Sequence, residues 1–412
     1  MPLTTLAQES SGRRSRDGTS FYVPYFEIKI EGVGLPRDIL RDVVQLTYKD
    51  DIKGLDSFEL NVNNWSPDTN SFKYVGAETA RSLQGSGEEA LRFRLFEPCN
   101  KTVEVRMGYV DDLRLMVKGT FTTMEPNFPN SGAPTLTVRG LNVLHQLRRK
   151  QYTGSWVGKK DSEIAENIAT LRDQGRRRFP LPIRIDPNAK TDEDSIPIVS
   201  QKNSYDIDFL FSRARRRGYV VFVEEANAQR GTPEELYFGP SDGSGSPALR
   251  DVTFQLDYGK SLVDFKPTLT TANQVRSVTV NGWNRNTRRA ISATVNLDDR
   301  GFRRRNVDLY ELLNSCDPRE EVVVDEPVFN EQQARRRAIA ILTDRQKEMV
   351  KATATTIGLP DLRAGQRVQI GAVGARFNGT YFITDTTHTI GDSGYTTRFS
   401  ARRENEGGGT NS

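Results

Sequence analysis

Apolar and polar residues alternate with a period of two at both ends of this chain, and little else constrains its fold as strongly. Phe26, Ile28 and Ile30 alternate with Glu27, Lys29 and Glu31. Phe58, Leu60 and Val62 alternate with Glu59 and Asn61, and Val103, Val105 and Met107 with Glu104 and Arg106. Leu136 and Val138 follow the same rule. Successive side chains of a strand point to opposite faces, so the pattern calls for strands with one buried and one wet face, as in an antiparallel sheet or barrel. The last third returns to it: Val278 and Val280 before Trp283, then Val368–Ile370, Tyr381–Ile383 and Tyr395–Phe399. Between the strands at 58–62 and 103–107, the polar, Gly- and Ser-containing stretch 63–89 reads as a long surface insertion.

The middle of the chain changes period. Ile164, Ile168 and Leu171 share one helical face, with Asp161 as N-cap and Gly175 as stop. A second helix is expected from Tyr205 to Arg217, its stripe made by Ile207, Leu210, Phe211 and Ala214. Gly218 ends it, and a buried strand at Tyr219–Val223 follows. A third helix is expected over 331–345 with Asn330 as cap. The expected fold class is therefore α+β and β-rich: two tandem tube-like β-barrel domains with a small α/β domain between them. The expected boundaries are a flexible N-terminus at 1–20, a first barrel at 21–147 carrying the 63–89 insertion, and an α/β domain at 148–250. A second barrel at 251–403 and a flexible tail at 404–412 complete the chain.

Hydrophobic residues make up 36% of the 412 positions, enough for real cores. Basic and acidic side chains nearly cancel, 58 against 54, so no specific nucleic-acid binding is expected. Four arginine triplets, Arg176–Arg178, Arg215–Arg217, Arg303–Arg305 and Arg335–Arg337, read first as solvated faces or intersubunit ion pairs and second as phosphate sites. Two distant cysteines, Cys99 and Cys316, suit a reducing compartment with free thiols. No run approaches the ~20 apolar residues of a membrane-spanning helix, and no apolar run follows the N-terminal arginines as in a signal peptide. Synthesis in the cytosol is the expectation.

Catalytic raw material is scarce. With only His145 and His388, a histidine triad or a multi-histidine metal site has almost nothing to draw on. Both read as packed or capping residues, His145 in a helical turn and His388 in a strand. No Walker A loop, GxGxxG after a strand or HExxH occurs. Asp111-Asp112 and Asp298-Asp299 read as turns; a glycosidase carboxylate pair is the remaining enzymatic alternative. No catalytic, cofactor or metal residue is assigned.

The two β-rich ends also resemble each other. Val103-Glu-Val-Arg-Met-Gly108 leads to Gly119-Thr-Phe121, a turn at Asn130-Ser-Gly132 and a strand at Leu136–Val138. Val368-Gln-Ile-Gly371 leads to Gly379-Thr-Tyr381, a turn at Asp392-Ser-Gly394 and a strand at Thr396–Ser400. An internal duplication is the expected cause, with Gly119 and Gly379 at equivalent sites.

Gly358-Leu-Pro-Asp-Leu-Arg-Ala-Gly365, Val368–Ile370, Phe377-Asn-Gly-Thr-Tyr-Phe-Ile383, His388 and Gly394-Tyr-Thr-Thr-Arg-Phe399 together resemble the C-terminal signature of phage late control protein D, the contractile-tail baseplate hub family. Asn203-Ser-Tyr-Asp-Ile-Asp-Phe-Leu210 with Arg217-Gly-Tyr-Val220, and Gly140-Leu-Asn-Val-Leu-His-Gln-Leu147 with 161–169, are similar to further elements of that family. The resemblance implies structural family positions at Gly119, Phe121, Gly365, Phe377, Gly379, Tyr381, His388, Gly394 and Tyr395. It also implies a homotrimeric, pseudo-sixfold ring in a phage tail or a phage-tail-like injection system. Such a ring joins a hexameric inner tube or tube initiator above to a trimeric spike below, with baseplate wedge proteins around it. The spike proteins of type VI secretion carry such a hub fused to further modules. No such module follows Phe399 here, so the spike tip is expected to be a separate polypeptide. No enzyme activity, cofactor or membrane anchor is implied, and the protein is expected to end in the assembled particle. The alternatives are a receptor- or polysaccharide-binding tail tip and a tail-associated cell-wall hydrolase.

Overall fold

The computed structural model describes residues 23–403 except 100, 111, 180, 225–232, 242–251, 285–286, 300–318 and 326. Arg303–Arg305, Cys316, Asp111 and the two terminal segments lie outside the described residues. One thirteen-stranded sheet dominates. Six of its strands come from the N-terminal part: β1 Pro24–Ile30, β2 Val43–Asp51, β3 Ser57–Asn63, β4 Thr102–Tyr109, β5 Asp112–Asn127 and β6 Thr135–Asn142. Six come from the C-terminal part: β7 Val252–Asp257, β8 Leu262–Leu269, β9 Val350–Ile357, β10 Arg367–Gly371, β11 Gly379–Gly391 and β12 Gly394–Arg403. The two-residue strand Val33–Gly34 completes the sheet.

The first six strands lie in the order β1-β4-β5-β6-β3-β2, and the last six in the order β7-β10-β11-β12-β9-β8. These are the same path. The irregularities repeat as well. A bulge at Thr122 interrupts the β5–β6 ladder, and one at Thr384 interrupts β11–β12. The Thr122 hydroxyl donates to the Arg139 carbonyl at 3.3 Å, and the Thr384 hydroxyl donates to the Ser400 carbonyl at 3.1 Å. A second pair of bulges falls at Val44 in β2 and Val263 in β8. A bulge displaces one residue, and its recurrence at two matched places, four bulges in all, is not a matter of chance.

Aligned on these bulges, Ile383 matches Phe121 and Tyr381 matches Gly119, while Val368 matches Val103 across the neighbouring ladder. The Gly-Thr-aromatic triplets thus lie on corresponding strands but two residues out of step. The expected equivalence of Gly119 and Gly379 is corrected. Their backbones differ accordingly: Gly379 has φ +145 and stands at the start of β11. A Cβ on Gly119 would lie 2.0 Å from the Leu141 carbonyl oxygen, so glycine there permits close strand approach. One pairing also diverges: β1 runs antiparallel to β4, whereas β7 runs parallel to β10.

Although the ladder is continuous, each half buries its own core. Tyr48, Phe58, Leu60, Val103, Phe121 and Val138 belong to the first. Phe254, Leu256, Val368, Tyr381, Ile383 and Phe399 belong to the second. The halves meet where β2 pairs antiparallel with the C-terminal part of β11, from Asp51↔Asp385 to Leu46↔Ile390.

The 63–89 stretch is more than a surface excursion. Tyr74 and Val75 are buried in the first core. Buried Asn64 fastens them, its side-chain oxygen accepting from the Tyr74 and Val75 amides and its NH2 donating to the Val75 carbonyl. The Tyr74 hydroxyl also donates to buried Asp42 at 2.7 Å, and a mostly polar sequence hides these anchors.

Between the halves, α1 Asp161–Thr170 and α2 Asp206–Arg217 pack with a three-stranded sheet of Ile183–Ile185, Glu235–Pro240 and Tyr219–Glu224. Gly218 ends α2 in the left-handed conformation at φ +69, as its sequence position suggests. Two expectations for α1 are corrected. Its N-cap is Lys160, and it stops at Thr170 rather than at Gly175. Asp161 is buried and accepts from Arg213 and Arg217 at 2.5 and 2.6 Å, so α2's cations claim the carboxylate. α3 Glu331–Lys347 is capped by Asn330, which accepts from the Gln333 amide at 2.8 Å. It packs on Ser277–Asn284 and Arg289–Asn296 around a core of their own.

Candidate functional site: the seam between the halves

Asp50 is where the seam is tightest. It occupies an inward position of β2, after Leu46 and Tyr48, and is buried. One carboxylate oxygen accepts from the Arg363 Nε at 2.8 Å and the Ala364 amide at 3.1 Å. The other accepts from the amide and hydroxyl of Thr386. Four donors occupy the lone-pair positions of the carboxylate.

Arg363 belongs to the Gly358–Gly365 segment, which straps the seam along its length. Gly358 gives its carbonyl to the Tyr109 hydroxyl at 2.9 Å. Asp361 pairs with Arg114 at 3.1 Å. Arg363 donates to the Tyr48 hydroxyl and to the Met116 carbonyl, and its guanidinium lies 4.7 Å from the Tyr48 ring centre. The Gly365 amide donates to the Ile383 carbonyl at 2.9 Å. Gly365 has φ +85 and lies under the Phe222 ring, which a Cβ would approach to 2.9 Å; that contact ties the middle domain to the seam.

His388 is fully buried opposite Tyr48. Its Nε2–H donates to the Leu362 carbonyl at 3.0 Å, which leaves Nδ1 to accept from the Tyr395 and Thr397 hydroxyls at 2.9 and 3.1 Å. Burial pushes its pKa down to about 4, against the opposing pull of Asp50, so the ring is neutral near pH 7. Asp56, also fully buried, goes the other way: burial and the nearby Asp50 charge push it up to about 7. The Asn142 side-chain amide holds it at 2.9 Å.

Of the family positions inferred from sequence, Gly365, His388 and Tyr395 meet at this seam. Gly394, φ +97, pairs with Gly391 and closes the two-residue hairpin loop between β11 and β12. Phe121 packs against Phe58 and Phe96 in the first core. The Tyr381 hydroxyl donates to the Phe377 carbonyl at 2.9 Å in the second half. Asp50, Asp56 and Arg363 were not singled out from sequence. The available signal was a charged residue at an inward position of an alternating strand. His145 lies in a 3-10 turn, half-buried.

Of the described triplet arginines, Arg178, Arg217, Arg335 and Arg336 make ion pairs within the chain. Arg178 forks onto Asp206 and stacks 3.4 Å from the centre of the Tyr152 ring. Arg335 and Arg336 reach Asp299 and Asp194. A cleft of about 680 Å³ between α2 and α3 is lined by Arg213, Arg216, Arg217, Arg336, Arg337 and Lys202, among others. Among the described residues, no group of three or more His, Cys, Asp or Glu side chains could hold a metal ion. No described helix is long and apolar enough to cross a membrane.

Two repeated six-strand units joined along a buried polar seam define the fold. Solved structures share that fold. The 43 kDa tail protein of prophage MuSo2 from Shewanella oneidensis superposes with a TM-score of 0.63 at 13% identity, covering 92% of this chain and 98% of that one. A tail protein from Neisseria meningitidis gives 0.61 at 13% identity, covering 93% and 97%. The E. coli c3393 protein, a component of the type VI secretion system, gives 0.54 at 12%, covering 93% and 79%. No curated protein matches the chain. The chain belongs to the family described as the Alg8 N-terminal domain, whose model matches residues 89–392.

Proposed function

We propose that this chain is the structural hub of a contractile phage tail or tail-like injection particle, joining a sixfold inner tube to a threefold spike. The observation that carries the reading is the duplicated six-strand unit. Three chains, each contributing two like units, present six near-equivalent surfaces on one face while keeping threefold symmetry on the other. The tail-protein fold supports the setting, and the saturated seam supports a mechanical rather than a catalytic role. The two halves act as tube-like barrels, the middle domain braces them, and tube, spike and wedge proteins are the partners. Mass photometry of the chain with its spike should count three copies. A monomer in the assembled complex would overturn the reading, as would robust peptidoglycan or peptide hydrolysis lost on a carboxylate substitution.

A further inference from the structure

Among the described residues, the internal repeat leaves one strand edge of each unit without a ladder partner. β2 of the first unit pairs with β11 of the second, through residues 385–390. The counterpart of β2 is β8, and the counterpart of 385–390 is the stretch 123–128 at the end of β5. Among the described residues β8 pairs, apart from a single bridge at Leu262, only with β9, and 123–127 pairs only with β6. Each unit therefore has the half-seam that the other unit completes, and one of each is left over.

Carrying the observed register across the bulge alignment sets Met124 opposite Leu269, Glu125 opposite Thr268, Pro126 opposite Pro267 and Phe128 opposite Phe265. The matching intrachain pairs are Thr386↔Asp50, Thr387↔Lys49, His388↔Tyr48 and Ile390↔Leu46. Within the chain those inward residues are buried. Their counterparts form two apolar rows that are only partly covered: Met124, Phe265 and Leu269 are half-buried at the margins of the two cores, and Phe128 is 54% exposed. Exposed apolar rows on open edges mark a surface that is covered in the assembled state.

We infer that a second copy of this chain lays its β8 edge on the 123–128 edge of the first, repeating between copies the seam seen within one. The inference rests on the ring reading above and names the surface that closes it. The prolines give this junction its own character. The Ile52 amide donates to the Thr384 carbonyl at 3.1 Å, so by alternation the amides of Tyr48 and His388 point at one another's strands. Pro126 and Pro267 stand in those two places without an N–H. Prolines there guard both edges against stray strands, and the inter-copy seam is carried by side-chain packing around a gap in the ladder.

Glu125 and Thr268 fall at a closely spaced, outward-facing pair, within the reach of a disulfide. In a Cys99→Ser, Cys316→Ser background, full-length chain carrying both Glu125→Cys and Thr268→Cys should form oxidised covalent dimers and trimers. Either cysteine alone should give no such ladder. Mass photometry of the same full-length chain with its spike, before oxidation, separates the two claims. Three copies with the ladder supports the seam. Three copies without it, or with equal cross-linking by single-cysteine chains, overturns the seam and leaves the hub reading standing. A single copy overturns both. Phe128→Glu, at the most exposed position of the two apolar rows, should weaken self-association at least tenfold.

Discussion

The two six-strand units follow one path but fill it differently. In the first, Phe58 lies against Gly140, so closely that a Cβ there would sit 2.2 Å from the ring. At the matching places the second has Ala352 and Ala401. Where the first has Gly119, the second has Tyr381, fully buried. Volume has moved between neighbouring strands while the ladder and its bulges stayed. The difference teaches that backbone register is what the repeat holds in common, and that each core is packed as its own jigsaw.

The largest effect should come from the buried ion pair at the seam. Arg363→Ala leaves Asp50 buried without its cation and should cost ~3–5 kcal/mol in denaturant unfolding. A loss below ~1 kcal/mol would mean that the units are held by their strands alone. Next comes the packing contrast. Gly140→Ala should cost ~1–3 kcal/mol by forcing Phe58 aside, whereas Ala401→Gly at the matching place should cost ~0.5–1 kcal/mol, chiefly in backbone entropy. Phe58→Leu should relieve only the ring's share of the Gly140→Ala penalty, since the Thr120 carbonyl oxygen would still lie 2.7 Å from the new Cβ, and a double-mutant cycle with no coupling would break the comparison.

The seam's two titrating groups give a smaller, pH-dependent effect of opposite sign. Unfolded His388 takes up a proton near 6.5 but folded His388 only near 4, so acidification through that window removes stability. Unfolded Asp56 loses its proton near 3.8 but folded Asp56 only near 7, so raising the pH through that window removes stability. Asp56→Asn should therefore be close to neutral at pH 4 and stabilising by ~2 kcal/mol at pH 8, measured as thermal transitions across pH. His388→Gln should flatten the acid limb whatever it costs at neutral pH. The smallest effect is expected at the matched bulges. Val44 and Val263 are 47% and 67% exposed, and Val44→Thr or Val263→Thr should each stay within ~0.5 kcal/mol.

Much of this was legible in the sequence. Period-two runs gave the strands, Gly218 and Asn330 gave helix ends, and the Val103 and Val368 segments gave the repeat. Coincidence then misled: Gly-Thr-Phe and Gly-Thr-Tyr look equivalent, but a repeat's register is set by hydrogen-bonded neighbours and bulges, which no local triplet records. Asp161 had the form of an N-cap because capping is local, while its claim by Arg213 and Arg217 comes from fifty residues away. The seam was hidden for the same reason. Its decisive bonds join Arg363 to Tyr48 and Asp50, more than three hundred positions apart, and the strap that supplies Arg363 showed in the sequence only as a family motif.

That separation bears on how the molecule is made. β2 leaves the ribosome long before β11 exists, so the first unit must wait with an open edge and the inward Asp50 carboxylate lacking both its cation and its threonine. The buried charge then discourages premature closure of that edge on any strand that brings neither. Joining the ends of so long a loop is entropically late and slow. Strands made late in synthesis are thus the ones that seal an early one.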